Sequence, residues 1–234
     1  MLDGGAGGDA LIGGSGVDTA SYASATFTGV DARLTGSSPD FGGDARGDSY
    51  VGVENLGGSA FDDNLHGDAQ ANTLWGGAGG ENLYGGGGND LLIGGEGSDY
   101  SLQGEAGDDV LRGGRAAVER VGAGNDLFDF DQAADSAPGA RDAIRASGAP
   151  AFEGIGVAGG DRIDLSGIDA NAKAAGNQAF GFGGTGIGRV SLVNSGSSTI
   201  VRGNTDADAA FELQIVIEDG TALATAYRAG DFIL

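Results

Sequence analysis

The chain has 234 residues, enough for one or two domains, with 50 glycines, no cysteine and a net charge of −22. The acidity argues against nucleic acid and anionic membrane as partners, since both need clustered Lys and Arg. The missing thiols exclude disulfides and Cys-ligated zinc, and no apolar run approaches the ~20 residues of a spanning helix.

Residues 4–21 hold two nine-residue units, GGAGGDALI and GGSGVDTAS. Asp9 and Asp18 take the acidic position, and Ala20 stands where a large aliphatic is preferred. The opening MLDGGAGGDA has neither a basic n-region nor an apolar h-region, so no cleaved signal peptide is expected. It starts inside a repeat, as a fragment of a larger protein would. The pattern lapses near 22–42, where Val30, Ala32 and Leu34 alternate with Asp31 and Arg33 and predict a strand with one buried face. It returns at GDARGDSYV, with Asp48 and Tyr50 in the acidic and core positions. Arg46-Gly47-Asp48 is read as repeat turn and carboxylate rather than as an adhesion tripeptide. GVENLG then reads as a short connector.

The main array runs from Gly58 to Arg112 as GSAFDDNLH, GDAQANTLW, GGAGGENLY, GGGGNDLLI and, after a slip of one residue, GEAGDDVLR. An acid or amide recurs every nine residues at Asp63, Asn72, Glu81, Asp90 and Asp99, with Asp109 following the slip. Leu65, Leu74, Leu83 and Leu92 follow two places after the acid, and Ser101 falls where the next inward aliphatic is expected. Flexible Gly-rich linkers do not place aliphatics at such intervals.

Beyond Arg112 the pattern decays: GGRAAVERV has no acid in phase, and GAGNDLFDF, with Asp126 and Phe128, is the last recognisable turn. Residues 131–150 read as loop with a short helix at Ala140–Arg145. Arg162–Leu165 and Val190–Val193 read as strands, as does the alternation of Phe211, Leu213, Ile215 and Ile217. Asp219-Gly220 predicts a hairpin turn, with Ala222–Tyr227 as the returning strand. A boundary is expected near residue 130. The expected fold is all-β: a parallel β-roll or β-helix solenoid over 1–130, interrupted near 22–42, then a β-rich module over 131–234.

Glycine suits a tight turn whose backbone dihedrals a Cβ disfavours, and such a turn sets carbonyls beside a carboxylate. Calcium takes six to eight hard oxygen ligands at about 2.3–2.6 Å and accepts both kinds. The array resembles the calcium-binding nonapeptide repeats of RTX (repeats-in-toxin) proteins, G-G-x-G-x-D-x-U-x. GGDRIDLSGIDAN and the closing Asp231-Phe232-Ile233-Leu234 resemble the C-terminal secretion domain of serralysin-type metallopeptidases.

The RTX resemblance implies several calcium ions, each held between turns 18 residues apart. One site would use Gly77, Gly79 and Glu81 with Gly94, Glu96 and Asp99; another, Gly86, Gly88 and Asp90 with Gly104, Ala106 and Asp109. Weaker sites pair Asp63 with Glu81 and Asn72 with Asp90. Asp9, Asp18, Asp48 and Asp126 occupy acidic positions without an intact partner turn. The second resemblance implies export through type I secretion machinery that reads Asp231, Phe232, Ile233 and Leu234, and a secreted, extracellular protein.

Other constellations carry less. A zinc protease requires HExxH, and the sole histidine, His66, ends a repeat as a solvated rim residue. One His and no Cys build neither a His-dependent triad nor a typical zinc site. Gly181–Gly186 fits GxGxxG without the flanking strand and helix of a dinucleotide site, and paired carboxylates are committed to metal. The expectation is a non-catalytic module that folds on extracellular calcium, any catalytic domain such as a metallopeptidase lying upstream. The alternative is a calcium-dependent adhesin, surface-layer or acidic-polysaccharide-binding module, with Trp75 and Tyr84 as a stacking platform.

Overall fold

The nine-residue unit becomes half a coil: a glycine turn, then a short strand whose middle residue points inward. In the computed structural model this unit repeats on two faces. The structure describes residues 1–36, 42–114, 117–122, 124–133, 136–138, 141–146, 160–171, 178–206, 210–218 and 224–234. Strands Asn64–His66, Asn82–Gly87 and Ser101–Ala106 lie on one face, alternating along the chain with Thr73–Gly79, Leu91–Gly97 and Val110–Arg112 on the other. Each strand pairs in parallel with the strand one coil away, because the connection between them is a whole turn of the solenoid.

The first sheet has eight strands in the order Thr19–Ser21, Asn55–Gly57, Thr73–Gly79, Leu91–Gly97, Val110–Arg112, Leu127–Asp129, Arg162–Asp164 and Phe232–Ile233, all parallel. Its inward ladder is Ala20, Leu56, Leu74, Leu92, Leu111, Phe128, Ile163 and Phe232. The second sheet runs in parallel from Asp31–Arg33 through the main array to Val118–Val121, Ala143–Ala146 and Leu213–Ile217. Ser198–Asn204 and Arg189–Ser195 then add antiparallel, and Gly181–Phe182 closes the edge. Both sheets continue past residue 130. Leu56, Leu65, Leu74, Leu83, Leu92, Leu102 and Leu111 are all fully buried. Fully burying one such side chain is worth about 1.5–3 kcal/mol, and two per coil make a thin core.

Val30, Ala32 and Leu34 are buried around the strand Asp31–Arg33, as their alternation predicts. Leu213–Ile217 shows strict alternation of buried and half-buried residues. GVENLG is not a connector: Leu56 occupies the inward ladder and Glu54 the acidic position of a full coil. Ser101 is not the inward residue either; Leu102 pairs with Leu83, the slip being absorbed between Asp99 and Leu102. The helix expected up to Arg145 is instead the strand Ala143–Ala146, with Ile144 on the inward ladder and Ala140 outside the described residues. The turn at Asp219-Gly220 also lies outside them. Of the expected returning strand Ala222–Tyr227, Ala222 and Leu223 lie outside the described residues and Ala224–Ala226 form a turn. Both edges of Leu213–Ile217 are already paired, which leaves no edge for that strand to join.

Candidate metal centre

Stacking the coils aligns the acidic positions into two ladders. On one edge the backbone amide of Val30 donates to Asp63 (2.6 Å), that of Asp63 to Glu81 (3.0 Å) and that of Glu81 to Asp99 (3.2 Å). On the other, Asp18 donates to Glu54, Asn72 to Asp90, Asp90 to Asp109, Asp109 to Asp126 and Asp126 to Asp161, at 2.7–3.0 Å. The 19-residue step from Asp90 to Asp109 is offset by a 17-residue step to Asp126.

Each ladder bond uses one carboxylate oxygen. The other oxygens of Glu81, Asp90, Asp99, Asp109 and Asp126 are buried without a hydrogen-bond partner. They lie in cradles formed by glycine: a Cβ on Gly85, Gly94 or Gly104 would collide with the bare oxygen of Asp90, Asp99 or Asp109. A buried unpaired carboxylate oxygen is costly unless a proton or cation compensates it. Burial accordingly pushes Glu81 up to about 8 and Asp90, Asp99 and Asp126 up to about 7, with neighbouring acids adding to the shift at Glu81, Asp90 and Asp126. Asp109 is raised by the same burial.

Main-chain oxygens complete the arrangement. The Gly77 and Gly79 carbonyls press against Gly95 and Gly97 of the next coil, and the Gly94 carbonyl presses back against Gly76. They therefore face the gap between the turns that carry Glu81 and Asp99. On the opposite edge the Gly88 and Gly104 carbonyls approach Gly107 and Gly85 across the equivalent gap. Gly97, at φ +144°, is required twice over, because a Cβ there would also meet the Gly79 oxygen. Glu96 pairs with Ala78 and Ala106 with Gly87 in the same registers. Among the described residues no three His, Asp or Glu side chains converge as a metal cluster, so main-chain carbonyls must supply much of any coordination shell. Two carboxylates with hard carbonyl oxygens fit calcium.

The remaining acidic positions differ. Both oxygens of Asp63 are satisfied, by the Val30 amide and by the Ser59 amide and hydroxyl. Asn72 is held by Asp68 and Glu54. Asp48 accepts from the Asp9 amide (2.8 Å) and the Tyr22 hydroxyl (2.7 Å). That fully buried Asp48 places Arg46-Gly47-Asp48 in the framework. Asp9, Asp18 and Asp126 do find partner turns, through Asp48, Glu54, Asp109 and Asp161. Glu54 and Asp161 are ladder acids that the nine-residue pattern leaves unmarked: Glu54 keeps the phase, nine residues before Asp63, but GVENLG lacks the glycine turn of a repeat, and Asp161 falls outside the phase altogether. Trp75 and Tyr84 do not form a platform: they lie on different sheets. Tyr84 stacks on His66 at 4.5 Å, so His66 is half-buried rather than fully solvated, and burial lowers its pKa.

Fold and site together define a parallel β-roll of calcium-binding repeats. Four copies of the RTX calcium-binding nonapeptide repeat match at residues 1–20, 57–92, 75–100 and 101–117. The chain thus carries RTX repeats, the class that binds Ca2+. Among solved structures it is similar to the AlgE6R3 subunit of the Azotobacter vinelandii mannuronan C5-epimerase, with 28% identity and a TM-score of 0.41 over 74% of this chain and 78% of that one. No curated protein matches the chain.

Proposed function

We propose that this chain is a non-catalytic, calcium-responsive folding and secretion module of an exported RTX protein, with the ions held between the turns of Glu81 and Asp99 and of Asp90 and Asp109. Asp109 and Asp126 form a further pair. The observation that carries this reading is the row of buried carboxylates, each with one oxygen in the ladder and one bare. Without cations these groups must hold protons or repel one another along a Gly-rich chain, which disfavours the coil. In the cell, where calcium is scarce, the repeats remain unfolded and suited to a narrow export channel. Outside, calcium neutralises the ladders and the coils stack.

Extracellular calcium modules bind at about 10⁻⁴–10⁻³ M. At ten times Kd each site adds roughly 1.4 kcal/mol by mass action, so the three pairs contribute about 4 kcal/mol. That is comparable to the whole stability of a small domain. Residues 131–234 act as the cap of the roll, their strands covering the last inward ladders. Asp231, Phe232, Ile233 and Leu234 carry the export signal, a role supported by their resemblance to serralysin-type ends.

Far-UV circular dichroism during calcium titration of chelator-treated protein tests the switch, with magnesium as control. A cooperative gain of β signal at sub-millimolar to millimolar calcium, absent with magnesium, is expected. A chain fully folded in chelator and indifferent to calcium overturns the reading. D90N, which removes a carboxylate with a bare oxygen, should shift the calcium midpoint upward severalfold, and D63N should shift it less.

A further inference from the structure

The ladder through Asp63, Glu81 and Asp99 misses a rung. Its next position is Ala117, whose amide donates to Asp142 at 2.6 Å just as the Glu81 amide donates to Asp99. Ala117 is fully buried and brings no carboxylate. Two residues on, Glu119 occupies the inward ladder between Leu102 and Ile144, where every coil of the main array has leucine. It is completely buried, and neither of its oxygens makes a well-formed hydrogen bond. An acid there has no place in a hydrophobic ladder unless something compensates it.

Its position indicates what does. The carboxylate turns back toward Gly113, so that a Cβ on that glycine would stand 2.9 Å from Glu119 Oε1. In the neighbouring turns the equivalent space beside Gly94 or Gly104 holds the bare oxygen of the in-phase aspartate. The main-chain pattern also persists: the Gly95 carbonyl presses against Gly114, and the Gly113 carbonyl lies 2.7 Å from where a Gly94 Cβ would stand, beside Asp99 Oδ2. The counterparts of the Gly77 and Gly94 carbonyls of the preceding gap are thus present here, and the acid in phase is not.

We infer that Glu119 is an out-of-phase cation ligand, which with the bare oxygen of Asp99 and the Gly95 and Gly113 carbonyls holds one more calcium ion in the gap between the turns at Gly94–Asp99 and Gly113. This assignment rests on the calcium reading above and extends the ion row past the last in-phase acid of this edge. Burial and the nearby Asp142 both raise the pKa of Glu119, the Gly113 backbone opposing them.

The test is the number of calcium ions bound per full-length chain, by native mass spectrometry and by equilibrium dialysis, with circular dichroism confirming the fold. Glu119→Leu restores an aliphatic to the inward ladder, and E119Q keeps shape without charge. Both should bind one ion fewer than wild type. The double variant A117D/E119L returns the acid to its in-phase position and should recover that ion. An E119L chain that binds as many ions as wild type overturns the assignment, as does a double variant that recovers nothing. A wild-type chain that takes up no calcium overturns the underlying reading as well.

Discussion

A glycine at a repeat turn is there for two physical reasons, a left-handed backbone and a close main-chain approach, and substitution separates such positions from ordinary loop glycines. Gly97 combines φ +144° with a close approach to the Gly79 carbonyl, whereas Gly186 faces open space. G97A should therefore cost roughly 2–4 kcal/mol in denaturant unfolding at saturating calcium, and G186A less than about 0.5 kcal/mol. Equal effects would show that the turn tolerates a side chain. The same distinction holds for carboxylates. Asp63 is saturated by protein donors, while Asp90 and Asp99 each keep one oxygen bare beside a glycine. All three looked alike as acids at nine-residue intervals, because spacing shows which residue takes a position but not how many donors its surroundings provide.

At the scale of the strand, inward pointing is decided by register and not by counting nines. The insertion between Asp99 and Leu102 is accommodated because turn residues can bulge while the ladder pair Leu83–Leu102 cannot slip without exposing an entire inward set. L102A should accordingly cost about 2–5 kcal/mol, the range for emptying a well-packed leucine site. S101A loses only the hydrogen bonds its hydroxyl accepts from Gln103 and Arg120 and should cost roughly 1 kcal/mol. Thermal or denaturant unfolding of both variants decides the phase; a larger loss for S101A would restore the uninterrupted nine-residue count. Ala143–Ala146 carries no such local signal, since it follows no glycine turn in phase and its partner across the ladder is Glu119.

At the scale of the molecule, the two acidic edges make stability depend on protons and calcium in opposite ways. Glu81 near 8 and Asp90, Asp99 and Asp126 near 7 lie well above the ordinary carboxylate range of about 4. The folded state then binds more protons than the unfolded one between these values. The calcium-free fold is most stable below the ordinary carboxylate pKa and loses that stability as pH rises through about 7–8. In chelator, the β signal at pH 5.5 should exceed that at pH 8.5, and saturating calcium should erase the difference by replacing protons. A β signal that falls on acidification would contradict the ladders as drawn. The strands after residue 130 belong to the same stability argument, since Phe128 is covered by Ile163 and Glu119 by Ile144. A chain cut at residue 130 should require more calcium to fold than the full chain, measured as the titration midpoint; an unchanged midpoint would remove the capping role.

The amino-acid pattern by itself determined the parallel solenoid, its inward leucines from Leu65 to Leu92 and the identity of the cation, because period, glycine turns and carboxylates are local properties repeated along the chain. Only the tertiary structure decided which acids meet. Asp9 with Asp48, Asp18 with Glu54, and Asp126 with Asp161 are joined by hydrogen bonds across 35 to 39 residues. Such pairings depend on how interrupted coils close. It also decided that Trp75 and Tyr84, nine residues apart, face away from each other on different sheets. Glu119 shows the same limit: in the sequence it is an acid outside the phase, and only the folded turn at Gly113 reveals where its carboxylate goes. The physical reason is that a side chain reaches across two or three positions, so the site belongs to the stacked turns rather than to the repeat.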